Sequence, residues 1–251
     1  MNEKNSLRFA FSRTVTRPSF IEMAPFLYQE SYGSAQIRGN ADLQNGYNYN
    51  IDLRYELFEK NGDMLSITAY YKHLKAPIER VQTLSGGSAV HSFRNADNGM
   101  ATGVEIEFRK EIVKDLRFGV NGSYMYTNVK LPEGGAYTNS QRALQGASPY
   151  LANADLTYSP AFSNDRQLSV ALLYNLQGPR IHSVGISGLG DIKQQPVHTL
   201  NFTGSYRFNR RFAVKLQVND LLNQDILFKQ EVPTTGDKVE VERFRKGTGF
   251  E

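Results

Sequence analysis

Over residues 98–127, NGMATGVEIEFRKEIVKDLRFGVNGSYMYT, apolar and polar side chains alternate along two runs joined by a short charged turn. On the first run Val104, Ile106 and Phe108 take one face, and Glu105, Glu107 and Arg109 the other. On the second, Leu116, Phe118, Val120, Tyr124 and Tyr126 alternate with Arg117, Asn121, Ser123 and Thr127. Successive side chains of a strand point to opposite faces, so each run predicts a strand with one apolar and one polar side. A two-sheet sandwich satisfies this pattern, and so does a membrane barrel with lipid outside and a polar lumen.

The connections separate these two solutions. The same alternation recurs from Ser6 to Phe11, Tyr47 to Leu57, Leu65 to Tyr71, Tyr150 to Tyr158, Leu168 to Leu176, Leu200 to Phe208 and Phe212 to Val218, with Val239 and Val241 marking one further strand. The Tyr47 run is about as long as a tilted membrane strand, roughly 9–11 residues. Short turns fall near Asn61, Val113, Phe162 and Asn209, the first carrying the Asn61-Gly62 hairpin signal. Between them lie long Gly-, Pro- and Asn-bearing segments, 17–46, 76–98, 130–148 and 178–196, and an irregular tail from Asn219, all read as loop. A sandwich gives no reason for strict long–short alternation, whereas an up-and-down barrel has short periplasmic turns and long extracellular loops. The predicted fold is therefore all-β: a partial antiparallel transmembrane β-barrel, about ten or more strands of a larger one. Arg245 to Glu251 stops where another strand begins, and an open sheet edge in lipid would leave backbone groups unpaired.

Composition removes several function classes. No apolar run approaches the roughly 18 residues of a membrane helix, and a mean hydropathy of -0.47 is compatible with a barrel, whose strands are half polar. The 14 Tyr and 15 Phe suit interface girdles. The net charge of +4 is scattered, so no nucleic-acid partner is expected. Cysteine is absent, which excludes disulfides and thiolate metal sites. Met1 to Asn5 begins no apolar leader, so the chain is expected to start inside a longer protein. The four histidines, His73, His91, His182 and His198, lack metal-ligand spacing. Asp52 with Glu56, and Glu105 with Glu107, pair carboxylates on one face; hydrolytic acid–base work would use such pairs. Lumen-lining charge balanced by Arg54, Arg109 and Arg117 accounts for them more simply. Neither a G-x-S-x-G elbow nor a P-loop occurs, and Ser85-Gly86-Gly87-Ser88 and the Gly185 to Gly190 run read as flexible loop. No enzymatic activity, cofactor or metal is expected.

Several phrases carry a family resemblance. Ser12-Arg13-Thr14-Val15-Thr16-Arg17-Pro18-Ser19-Phe20, followed by Gly39-Asn40-Ala41-Asp42-Leu43, is similar to the SRT-x-x-RPSF … GNPDL passage of TonB-dependent outer-membrane receptors, particularly the Bacteroidetes type. Ala41 stands where that family commonly has Pro. Asn98 to Glu105 resembles the family's N-x-G-x-A-x-x-x-G-x-E strand entry, Ser148 to Asn153 its SP-x-x-AN strand start, and Val218 to Asn223 its NL-x-N segment. The resemblance spans nearly the whole chain in family order. It implies the C-terminal portion of a roughly 22-stranded, plugged barrel that imports a scarce, large solute such as a siderophore or other metal chelate, a vitamin or a glycan. The plug, the TonB box and the closing strand are expected outside these 251 residues. Implied partners are outer-membrane lipid, the protein's own N-terminal plug and barrel half, TonB, a small-molecule or oligosaccharide ligand, and, as a further candidate, a surface lipoprotein.

Ligand contact in such a barrel comes from loop tips and the upper lumen, where aromatic and Arg side chains grip planar or anionic solutes. Tyr28, Tyr32, Arg38, Arg94, Tyr137 and Arg142 have that chemistry and position. The lumen is expected to be lined by Asp52, Arg54, Glu56, Glu105, Glu107, Arg109 and Arg117. The rival readings are a passive porin, which shares the strand pattern, a secreted all-β binding module, which would bury the Val104/Ile106/Phe108 face, and an outer-membrane hydrolase.

Overall fold

The computed structural model describes residues 4–29, 36–59, 61–85, 88–132, 137–160, 162 and 166–251. From the N-terminus, β1 (Asn5–Thr16) leads through one helical turn, α1 (Phe20–Met23), and the short strands β2 (Leu27–Tyr28) and β3 (Ile37–Arg38) to β4 (Gly46–Phe58) and β5 (Met64–Lys75). Next come β6 (Ile78–Ser85), β7 (Ser88–Asn95), β8 (Asn98–Val113), β9 (Leu116–Lys130), β10 (Gln141–Arg142), β11 (Tyr150–Tyr158) and β12 (Gln167–Gln177). The remainder is β13 (Arg180–Ser183), β14 (Ile192–Gln194), β15 (Val197–Arg207), β16 (Ala213–Asn219), β17 (Ile226–Val232), β18 (Asp237–Phe244) and β19 (Gly249–Phe250).

One antiparallel sheet dominates, in the order β1-β4-β5-β8-β9-β11-β12-β15-β16-β19, with β10 attached to β9. Its short turns follow local chemistry. Gly62 takes φ +81 in the Asn61-Gly62 turn, and its N–H donates to the Glu59 carbonyl. Asp115, at φ 65, closes the β8–β9 turn with its N–H on Glu111 Oε1 at 3.0 Å. At the β15–β16 turn Asn209 Oδ1 accepts from the N–H groups of Arg211 and Phe212.

The register fixes which face is which. One row runs across eight strands as Ser6, Glu56, Ser66, Glu107, Asn121, Asn153, Asn175 and Thr199. The adjacent row is Leu7, Tyr55, Ile67, Ile106, Gly122, Ala152, Leu176 and His198. Burial runs opposite to that of a soluble sheet: Phe9 is 71% exposed and Ile106 51%, while Glu56 is 4% and Ser66 3%. A sandwich or secreted module would bury the first pair, so the apolar face is the one turned to lipid.

The long segments differ from the sequence expectation. Residues 76–98 form the β6–β7 hairpin, 178–196 hold β13 and β14, and the tail holds β17 and β18. These strands build two small sheets, β2-β3-β7-β6 and β13-β14-β17-β18. The Val239/Val241 strand thus pairs within a loop sheet, and the wall's last strand is the two-residue β19 on β16. Their pairing is partly non-local, as in the parallel Ile37–His91 contact, and short strands punctuated by Gly and Pro give no long alternation to read. The Gly185 to Gly190 run is an ordered turn, held where Asp191 Oδ1 accepts from the Gly185 N–H at 2.9 Å. Gly86 and Gly87 lie outside the described residues. Where the first loop sheet meets the wall sits a buried apolar cluster, Val81, Ala96, Val129 and Leu131, with Tyr137 and Leu144 packed on it.

Candidate functional site

The RPSF and GN phrases meet in space and build the entry to the loop layer. Ser19 caps α1: Glu22 Oε2 accepts from the Ser19 N–H at 2.7 Å, and Ser19 Oγ accepts from the Glu22 N–H. The Glu22 carbonyl then accepts from the Asn40 N–H at 2.7 Å, while Asn40 Nδ2 donates to the Phe93 carbonyl on β7. Gly39 packs against the Ala24 backbone, where a Cβ would have no room.

Polar side chains link the two loop sheets. Arg80 Nε donates to His91 Nδ1 at 2.9 Å, and the Gln82 side-chain amide lies 3.1 Å from His91 Nε2. Gln82 Nε2 donates to Ser183 Oγ across to the second sheet, and Gln145 Nε2 to the His182 carbonyl at 2.7 Å. A cleft of about 300 Å³ opens at this junction, lined by Glu22, Arg80, Phe93, Gln145, Arg180 and His182. A larger cavity of about 620 Å³ lies along the second sheet, with Asp191, Lys193, Lys229, Glu231 and Lys238 among its walls. Lys193 sits directly opposite Lys229. Like charges facing across strands are destabilising. Among the described residues, Lys193, Lys229 and Lys238 make no ion pair, although Lys229 stands opposite Glu240 and Lys238 opposite Glu231; Arg243 grips Glu240 in a two-pronged pair, and Arg245 bonds Asp225. Those pairings hold the Asp225 and Glu240 carboxyls below their ordinary range. Three lysines against Asp191 and Glu231 leave this cavity wall a net positive charge suited to an anionic solute.

A buried ion pair clamps the loop layer to the wall. Arg142 Nη2 lies 3.0 Å from Glu79 Oε2, with side chains 2% and 5% exposed. Burial pushes the Glu79 carboxyl above its ordinary value; the Arg142 charge opposes that and does not overcome it.

Three separate sets of polar contacts lie on the polar wall face. Glu56 receives Arg8 at 3.1 Å and Arg54 at 3.0 Å, and Glu107 receives Arg109 at 2.6 Å. Asn175 Nδ2 donates to Asn153, Asn153 Nδ2 to Asn121, and Thr199 Oγ1 to Asn175, forming an amide ladder over four strands. Glu105 and Arg54 line a shallow hollow on this face; Asp52 lies half-buried on β4, and Arg117 stands opposite Thr157 on β11.

The expected ligand residues separate under this geometry. Arg38 on β3 and Arg94 on β7 are exposed in the first loop sheet, and Tyr28 is half-buried on β2. Tyr137 is bridged to Ile186 and packs on the buried cluster. Arg142 is buried against Glu79 rather than held at a loop tip. Tyr32 lies outside the described residues. Arg80, Arg180, Lys193, Lys229 and Lys238 escaped the sequence reading because they fall in segments read as loop. A period of two survives around Lys238, in Lys238-Val239-Glu240-Val241-Glu242, and was the available signal there; Ile78-Glu79-Arg80-Val81-Gln82 does not alternate.

Comparison with known proteins adds to this picture. A model of the outer membrane protein beta-barrel family matches residues 1–246. No curated protein matches the chain. Among solved structures, a variant of the ferric enterobactin receptor PfeA from Pseudomonas aeruginosa, in complex with enterobactin, superposes with a TM-score of 0.67 at 19% identity, over 100% of this chain and 38% of that one. The siderophore receptor PirA from Acinetobacter baumannii gives 0.62 at 16% identity, over 90% of this chain and 36% of that one. The ferric yersiniabactin uptake receptor FyuA from Yersinia pestis gives 0.60 at 14%, over 90% and 31%. The likeness is one of fold, and this chain spans about a third of the length of these receptors.

Proposed function

The chain belongs to the outer membrane protein beta-barrel family and resides in the outer membrane, and from that premise we propose that it supplies wall and extracellular loops to a TonB-dependent receptor of the Bacteroidetes type. It acts as a transporter rather than an enzyme, forming the C-terminal part of the barrel. An N-terminal plug and the remaining strands belong to the same longer protein. Among the described residues, β1 and β19 leave the outer edges of the main sheet unpaired, which supports this because lipid demands that every strand edge be closed. The fold likeness to receptors about three times as long agrees with it.

The solute is a scarce, large anion, with a ferric chelate ahead of a vitamin or an acidic glycan. The observation that carries this reading is the Lys193–Lys229 pair beside Lys238 over the cavity of about 620 Å³. Cationic walls on folded loops suit capture from dilute solution, whereas a passive porin needs an open lumen. Import is coupled to TonB, and a surface lipoprotein is a further candidate partner.

The test is uptake of radiolabelled ferric catecholate, vitamin and acidic oligosaccharide by cells carrying the intact protein, before and after collapse of the proton-motive force. Energy-dependent uptake of one solute is expected, with weaker capture in Lys193→Ala/Lys229→Ala/Lys238→Ala. Uptake that persists without the proton-motive force would turn the reading to a passive pore.

A further inference from the structure

Charge on the lumen face is divided by strand. β1, β4, β5, β8 and β9 each carry it, Arg8, Asp52, Lys72, Glu105 and Arg117 being examples. Above the periplasmic rim of the next sector it stops. Ser169 to Gln177 on β12, Thr199 to Ser205 on β15 and Gln217 to Asn219 on β16 put only uncharged side chains on that face. Asp155 on β11, opposite Leu173, marks the boundary.

Cations stand at both ends of this sector. At its extracellular end β12 runs on into β13 across Gly178-Pro179, β14 into β15 across Gln195-Pro196, and β16 leads to β17. The cavity walled by Lys193, Lys229 and Lys238 therefore stands over the same strands. At the periplasmic end, a hollow of about 780 Å³ is lined by Arg166, Arg207 and Lys215, with Ser169 and Ser205. Lys215 lies opposite Ser205 on the lumen face. Among the described residues, none of these three cations has an ion pair or hydrogen bond, and no Asp or Glu lines the hollow. The 11 residues of β15, at about 3.3 Å each, put roughly 36 Å of wall between the two sets.

The wall between them offers neutral donors. Asn201 Oδ1 accepts from the Asp220 N–H at 2.9 Å, and because a backbone N–H can only donate, this fixes the orientation of the amide. Asn219 Oδ1 accepts from Gln217 Nε2 at 3.1 Å. Both Nδ2 groups are left without an acceptor among the described residues. A conducting path must bind its solute well enough to admit it and weakly enough to let it go. Amides and hydroxyls meet that condition for an anion, whereas Asp52, Glu105 and Glu107 on the charged sector repel it. We propose that the β12–β15–β16 sector is the route of the solute along the lumen wall, and that Arg166, Arg207 and Lys215 form a second anion site at its periplasmic exit. The inference rests on the anionic solute proposed above and assigns that solute a side of the barrel.

The test labels single cysteines in the intact protein in native outer membranes, with unsubstituted protein as the blank. Thr203→Cys reports on the uncharged sector, and Ser123→Cys, opposite Glu105, on the charged one. The probes are the anion 2-sulfonatoethyl methanethiosulfonate and uncharged methyl methanethiosulfonate, and the readout is the ratio of their rates. That ratio is expected to be about tenfold higher at Thr203→Cys than at Ser123→Cys. It should fall to the Ser123→Cys level when Arg166→Ala/Arg207→Ala/Lys215→Ala is added, and stay high with Arg166→Lys/Arg207→Lys/Lys215→Arg. Equal ratios at the two positions, or an unaltered ratio in the alanine variant, would overturn the route. So would failure of both reagents to reach Thr203→Cys, the result if an acidic stretch of the plug covers these cations. Neither reagent is the solute, so a wrong solute shows in the uptake assay and a wrong route shows here.

Discussion

Arg142 shows how far a residue's chemistry can stand from its role. As a loop arginine it has the chemistry of a ligand contact, and the fold spends it on Glu79 beneath the loop sheets. Breaking a buried pair leaves a charge without compensation, at about 3–5 kcal/mol. Arg142→Ala is therefore expected to lower the unfolding temperature and to open the β6–β7 hairpin to protease. The pH dependence has a definite sign. A carboxyl raised in the folded state favours folding most below its unfolded value, and loses that advantage as pH rises through the folded one. Glu79 should thus stabilise less at neutral pH than in the ordinary carboxylate range, and Glu79→Gln should flatten that slope in melting curves taken across pH. Gly103 is constrained differently. A Cβ there would meet the Tyr124 carbonyl oxygen and the Tyr70 hydroxyl, and backbone in a paired strand cannot retreat. Gly103→Ala should reduce the fraction of heat-modifiable, folded protein on unboiled gels.

At the scale of elements, what could be read from sequence divides along one physical line. Wall strands such as β4 and β8 keep a period of two over a dozen or more residues, because lipid on one side and lumen on the other impose it at every position. Their faces and short turns were legible. The loop strands were not: β3 and β14 are two and three residues long, and their partners β7 and β17 lie far along the chain. No local window contains that information. The candidate site suffered accordingly, since Lys193 and Lys229 become a pair only through β14–β17 pairing. On the lumen side, by contrast, the polar residues were legible and their network was not. Asn153 both donates to Asn121 and accepts from Asn175, so Asn153→Ala removes two bonds of the ladder. At roughly 0.5–1.5 kcal/mol each, the loss should appear as a modest fall in melting temperature, larger than that of Thr199→Val at the ladder's end.

The molecule as a whole is an inverted sheet, with water-loving residues gathered inside and the large apolar side chains left outside. Isolated residues 1–251 should therefore aggregate in plain buffer and be recovered in detergent, since their apolar face and two sheet edges are uncovered. The most direct measurement is a cysteine scan of β8 in native outer membranes, to which residues 1–251 contribute no cysteine of their own. Single cysteines at 104 to 109 would be challenged with a water-soluble maleimide and with a probe dissolved in the bilayer. Strict alternation is expected: Val104→Cys, Ile106→Cys and Phe108→Cys react with the lipid probe, and Glu105→Cys, Glu107→Cys and Arg109→Cys with the maleimide. Uniform labelling of all six, or maleimide labelling of the 104/106/108 set, would contradict the barrel orientation on which the functional reading stands.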